Sequence, residues 1–246
     1  MKFKLDICVV KILEMKKIIY SFIIISLLIS CGNEKKGTMT VHGTINGLKK
    51  GTVYLQKFND TLLVSVDSVM LTNENSFTLV DNIESPEIYI VQLDKNEDQK
   101  ITFFGEKKEI NITSKLEKFA TSAKISGSKN QELLEEHKAM VQKFSGKQLD
   151  LLKEKFEAQK AGDTELLAKL ENDEKSLIRR KYYFSTNFAI NHGEYEVAPY
   201  IALTELYYAN IKLLDTVNNS LSNKVKASKY GLELNKFIDE IKKTEN

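Results

Sequence analysis

The stretch Ile125-Ser126-Gly127-Ser128-Lys129-Asn130-Gln131-Glu132-Leu133-Leu134 is where the period of the sequence changes. Upstream of it, Met39, Val41 and Ile45 alternate with Thr40, His42 and Thr44. Val53 and Leu55, Val64 and Val66, Phe77 and Leu79, Ile88 and Ile90, Ile101 and Phe103, and Ile110 and Ile112 repeat the pattern. Successive side chains on a strand point to opposite faces, so this spacing predicts about eight strands in an antiparallel sandwich. Gly47, Gly51, Asn73–Asn75, Pro86 and Asn96–Asp98 supply the turns.

Downstream of Gly127 the apolar spacing becomes helical. Leu133, His137, Met140, Phe144, Leu151 and Ala158 share a face, with Leu134, Val141, Leu152 and Phe156 beside it. Gly162-Asp163 reads as a helix end followed by a new cap. Leu166, Leu167, Leu170, Leu177, Ile178, Tyr182, Phe188 and Ala189 carry the stripe on to Asn191-His192-Gly193. From Gln131 to Lys181, 22 of 51 residues are charged, so only one side of each helix can be buried. The expectation is a long antiparallel helix pair. Pro199 fits the first turn of a third helix, Tyr200 to about Leu214, and shorter helices are expected over Val217–Ala227 and Lys229–Lys243. The fold class expected is α+β, with a sandwich over 38–127 and a helical region over 128–246.

The N-terminus reads as an address. Met15-Lys16-Lys17 precedes a largely apolar run, Ile18–Ile29, of 12 residues. As a helix that run covers about 18 Å, short of the roughly 30 Å hydrocarbon core, so it suits an export signal better than a permanent span. Leu28-Ile29-Ser30-Cys31 resembles the lipobox read by bacterial lipoprotein-processing enzymes. The resemblance implies cleavage between Ser30 and Cys31, and a diacylglyceryl thioether on Cys31 with a further amide-linked chain such as palmitate. Residues 31–37 would then be a lipidated tether, and two or three chains would hold it firmly. A complete signal beginning at Met15 points to Met15 as the true start.

Composition narrows the chemistry. The chain has 246 residues and a net charge of +2, with Arg only at Arg179 and Arg180, which argues against a nucleic-acid binder. Lys2, Lys4, Lys11, Lys16 and Lys17 against Asp6 and Glu14 give residues 1–30 a net +3, leaving −1 after cleavage. Cys8 leaves with the signal and Cys31 is lipidated, so no thiol is left for a disulfide or for redox work. His42, His137 and His192 lack ligand spacing, and no Gly-x-Ser-x-Gly elbow or phosphate-cradling glycine loop occurs. No catalytic residue, cofactor or metal is expected. Glu194, Glu196 and Glu205 lie near Tyr195, Tyr200, Tyr207 and Tyr208, a combination that can bind sugars or do acid/base work. The helical spacing of the tyrosines instead favours packing, with the glutamates solvated.

Val41-His42-Gly43-Thr44-Ile45-Asn46-Gly47-Leu48, Gly51-Thr52-Val53-Tyr54-Leu55, Ile125-Ser126-Gly127-Ser128, Val197-Ala198-Pro199-Tyr200 and Ser228-Lys229-Tyr230-Gly231 resemble the uncharacterised-domain family numbered 4369 across Gly37–Lys243. In bacteroidete bacteria such modules form the N-terminal half of lipid-anchored thiol:disulfide interchange proteins, ahead of a thioredoxin-like domain. No Cys-x-x-Cys occurs here, so the resemblance implies the non-catalytic half, a binding or assembly module of the envelope. The alternatives are an accessory or remnant of a thioredoxin-like lipoprotein, and a glycan-acting enzyme using Glu194 and Glu205. Gly32 after Cys31, where an Asp would resemble the inner-membrane retention signal, points to the outer membrane, facing the periplasm. Asp60-Thr61-Leu62, Asp67-Ser68-Val69 and Asp215-Thr216-Val217 resemble periplasmic O-glycosylation acceptors.

Overall fold

Eight strands build two four-stranded sheets in the computed structural model, which describes residues 36–244. Ser30, Cys31, the signal segment and the Met15 start lie outside the described residues. The strands are β1 (Met39–Asn46), β2 (Lys50–Asn59), β3 (Leu62–Thr72), β4 (Ser76–Asp81), β5 (Glu87–Leu93), β6 (Lys100–Gly105), β7 (Glu109–Lys115) and β8 (Lys124–Ser126). One sheet runs β4-β1-β7-β8 and the other β3-β2-β5-β6. Neighbours are antiparallel except β1 and β7, which run parallel, Thr40 opposite Glu109. A parallel pair needs a crossover, and here the whole second sheet supplies it.

Met39, Val41, Leu79, Ile110 and Ile112 meet Val53, Leu55, Tyr89, Val91 and Phe103 in the space between the sheets. Every residue of β5 is buried, because Tyr89 and Val91 face that core while Ile88 faces the helices. Ile88 and Ile90, the alternating pair visible in the sequence, are therefore on the outer face of a strand covered on both sides.

A bulge between Leu55 and Gln56 leaves Val66 as the extra residue of β3. Gln56 is buried, its amide nitrogen donates to Ser65 Oγ (3.3 Å), and its Oε1 has no partner among the described residues. An unpartnered buried carbonyl is costly, whereas Ser65 is exposed and can turn to water. Gln56→Leu is expected to stabilise the fold by about 1 kcal/mol in urea unfolding. An unchanged or lower midpoint would show that Oε1 is satisfied.

The helices are α1 (Lys129–Ala161), α2 (Thr164–Asn191), α3 (Val197–Glu205), α4 (Ile211–Ser220), α5 (Asn223–Lys226) and α6 (Lys229–Thr244). Gly127, at φ +101 with the Glu109 carbonyl where a Cβ would stand, turns β8 into α1. Ser128 Oγ caps α1 by accepting from Gln131 N (3.0 Å). With 33 residues α1 runs about 50 Å, and Gly162 in the left-handed region and the Asp163 cap turn it back as α2. Along α1 the buried residues are Asn130, Gln131, Leu133, Leu134 and His137, then only Ala158. Leu152 and Phe156, expected beside the buried stripe, are 61% and 58% exposed, and Leu149 joins them. They point away from the α2-facing row because only two helices pack there.

The third helix differs from its expected Tyr200–Leu214 span. It starts at Val197 with Pro199 in its first turn, and stops at Glu205. Asn210 then caps α4 by accepting from Lys212 N (2.9 Å). Leu206 and Leu214, on either side of the break, both enter the helical core with Val217, Leu221, Val225, Leu234 and Ile238. A third cluster joins Ile88 and Phe104 of the sheet to Leu133, Leu134, Phe188, Val197, Ile201 and Tyr230. From Gly37 onward the chain is one compact unit. No described helix is long and apolar enough to cross a membrane.

Candidate functional site at the seam of sheet and helices

The polar residues that matter sit where α1 leaves the sandwich. Asn130, in the first turn of α1, is held by the Ser128 cap with its amide pointing into the seam. Its Nδ2 donates to Glu106 Oε1 (3.1 Å) and to Glu196 Oε2 (3.0 Å), and its Oδ1 accepts from Val197 N (2.7 Å). Glu106 Oε1 also accepts from Ser128 Oγ (2.8 Å) and Asn130 N (2.7 Å). One carboxylate thus serves the positive end of a long helix, where negative charge is favoured. Glu196 reaches Lys224 (3.1 Å) at the surface while its own side chain is 3% exposed. Gln131, three residues beyond the cap as in a capping box, instead accepts from Phe104 N (2.8 Å) and so fastens α1 to β6.

These groups floor a cleft of about 470 Å³ whose lips include Glu84, Lys107, Lys108, Lys129, Glu194 and Tyr195. Two buried carboxylates share one amide here, and each is already engaged by donors. The arrangement joins three elements and leaves a polar concavity between them.

A second network lies at the open end of the sandwich. Lys57 Nζ donates to Asp81 Oδ2 (2.6 Å), and so does the Tyr89 hydroxyl (2.6 Å). Burial opposes ionisation of Asp81, but these two hydrogen bonds, with the Lys57 charge and the Asn82 N–H, outweigh it and hold the carboxyl below its usual range. Burial, together with the bond to Asp81, pushes the Tyr89 hydroxyl well above its usual range. Lys229 of α6 donates to Glu87 Oε2 (2.5 Å) and to the Phe58 carbonyl (3.0 Å). Next to it the Ile88 N–H donates to the Tyr230 hydroxyl (3.0 Å).

The residues singled out in the sequence are scattered. Glu194 lies at the lip of the first cleft, while Glu205, at the other end of α3, pairs with Lys181 (2.8 Å). Tyr200 packs on Phe104 and Tyr230, Tyr207 stacks on Phe237, and Tyr208 is exposed. His42 Nδ1 meets Thr78 Oγ1 (3.2 Å) across β1 and β4, and His192 lies against the Phe188 ring. His137 is buried, with Nε2 at 3.0 Å from Ser185 Oγ and Phe184 and Phe188 beside it. Among the described residues no three His, Cys, Asp or Glu side chains group to hold a metal ion. Neither Glu106 nor Asn130 belongs to a motif that marks it in the sequence. The Ser128-x-x-Gln131 spacing was the available signal for the α1 end of the seam.

A sandwich with one outer face covered by helices, clamped at the start of α1, defines the class of module. Residues 39–134 form a DUF4369-type domain, matching the family model described as "Domain of unknown function (DUF4369)". That match is narrower than the Gly37–Lys243 suggested by the sequence. It ends at Leu134, whose side chain belongs to the cluster under the sheet, so it takes in the sandwich and the turns of α1 that clamp it. No curated protein matches the chain.

Proposed function

We propose that the chain is an exported lipoprotein, anchored through Cys31 at the outer membrane and facing the periplasm, whose folded body is a non-enzymatic binding or assembly module. The observation that carries the reading is the run Met15–Cys31: a basic start, 12 largely apolar residues, then Leu28-Ile29-Ser30-Cys31. The folded body supports the binding half of it. Buried Glu106, Asn130 and Glu196 bind one another and thereby fix the seam. Leu149, Leu152 and Phe156 stand out from a two-helix projection, where exposed apolar side chains favour contact with another surface. The resemblance to modules that precede thioredoxin-like domains makes such a protein the first partner to seek by co-purification.

Growth with labelled palmitate tests the anchor. The wild-type chain is expected to take up label and follow the membrane fraction, and Cys31→Ser to take up none. Label that persists in Cys31→Ser would contradict the reading.

A further inference from the structure

The cleft at the open end of the sandwich has features that the ion network on its floor does not use. It encloses about 690 Å³ between the β2–β3 turn, the β4–β5 connection and the first turns of α6. Both cations inside it are committed, Lys57 to Asp81 and Lys229 to Glu87. Phe58, Val64 and Leu232 give it an apolar wall, and Phe58 and Leu232 are left 43% and 60% exposed. Asp60, Glu84 and Glu233 line the same space and, unlike the floor residues, make no ion pair or side-chain hydrogen bond among the described residues. Burial pushes the Glu233 carboxyl up, Lys229 partly opposes this, and Glu87 and Asp60 add to it, as expected of negative charge in excess. A concave site with such a surplus attracts cations.

Beside the cleft runs an open sheet edge. β3 is the outermost strand of its sheet, and every second N–H and C=O of such a strand points away from its neighbour. β4 leaves for the other sheet, and it is tied to β3 through Asp67, whose Oδ2 accepts from Val80 N (2.9 Å). The part next to the cleft, Leu62–Val66, pairs with β2 on one side and with no described strand on the other, and Leu62 is 69% exposed.

We infer that this cleft docks an extended peptide segment of a partner protein, laid along Leu62–Val66, with a lysine or arginine among Asp60, Glu84 and Glu233 and an adjacent apolar residue against Phe58 and Leu232. Backbone pairing on β3 supplies affinity, and the acidic, apolar-walled cleft supplies selectivity. The inference deepens the binding-module reading and rests on it.

The test is an array of random hexapeptides probed with the full chain in detergent micelles, beside the variant Glu84→Gln/Glu233→Gln. Neither carboxylate has an ion pair or hydrogen bond among the described residues, and the Glu233 charge is disfavoured where it stands, so the variant should unfold at or above the wild-type temperature. Bound peptides are expected to be enriched in lysine or arginine next to leucine, isoleucine, valine or phenylalanine. The variant should lose about tenfold in signal on those peptides, and wild-type binding should weaken at high salt. Absence of binding, selection of neutral or acidic peptides, or full retention by the variant would overturn the inference. Partition of the same preparation into a detergent phase reports the lipid anchor separately.

Discussion

Asn130→Leu is expected to destabilise the folded chain by about 3–5 kcal/mol, since in one step it takes a donor from each of two buried carboxylates and the acceptor from a buried backbone N–H. Leucine is larger than asparagine, so no cavity is left and the loss comes from stranded polar groups with some overpacking. The Glu106 carboxylate would keep its bonds from Ser128 Oγ and Asn130 N, but Glu196 would keep only Lys224, and Val197 N would have no acceptor. Because this residue joins the start of α1, the turn after β6 and the start of α3, its removal should lower the single unfolding transition of sheet and helices together. Urea unfolding followed by near-ultraviolet and far-ultraviolet signals checks it. A loss below about 1 kcal/mol would mean that the seam is held by the Phe104, Ile201 and Tyr230 contacts alone.

Acid provides the second large effect. Burial pushes the His137 imidazole down to about 4, with Lys181 and Lys138 adding to the shift and Glu205 opposing it. In the unfolded chain a histidine titrates near 6.5. Between those values the unfolded state binds a proton that the folded state refuses, so stability falls as pH falls from about 6.5 to about 4. The loss reaches about 3 kcal/mol, with no further contribution below that window. Asp81 acts in a separate range. Its carboxyl is depressed on folding, so its contribution is present above its ordinary value and is lost only as pH drops below that value. Unfolding free energies across the window should show the slope in the wild type and its absence in His137→Leu/Ser185→Ala, where the buried hydroxyl goes with its partner. An equal slope in the double variant would assign the acid sensitivity elsewhere.

Local features of this fold were legible because local physics sets them. The change of period at Gly127 and the Gly162-Asp163 reversal each depend on a few consecutive residues, and both stand where the sequence puts them. Pairings across the chain left no such trace. Nothing in the alternation of β1 or β7 distinguishes a parallel neighbour from an antiparallel one. The full burial of β5 depends on helices that begin some 40 residues later. The apolar run through Leu203, Leu206, Ile211 and Leu214 hid the break before Asn210, since both sides of the break feed one core.

The seam was least visible. Glu106 sits beside Lys107 and Lys108, where a carboxylate reads as ordinary turn charge, and its burial is decided by Asn130 and Ser128 from α1. Glu196 was noticed as one of three glutamates, yet it alone is drawn inside. Glu194 lies in the turn before α3 and Glu205 ends α3, so the 9-residue helix holds them apart.

The account turns most on the chemistry of Cys31, and the intact mass of the protein taken from native membranes tests it directly. The predicted result is a chain that starts at Cys31 and is heavier than its amino acids by a diacylglyceryl group and a further acyl chain. A bare thiol on an uncleaved chain would contradict it.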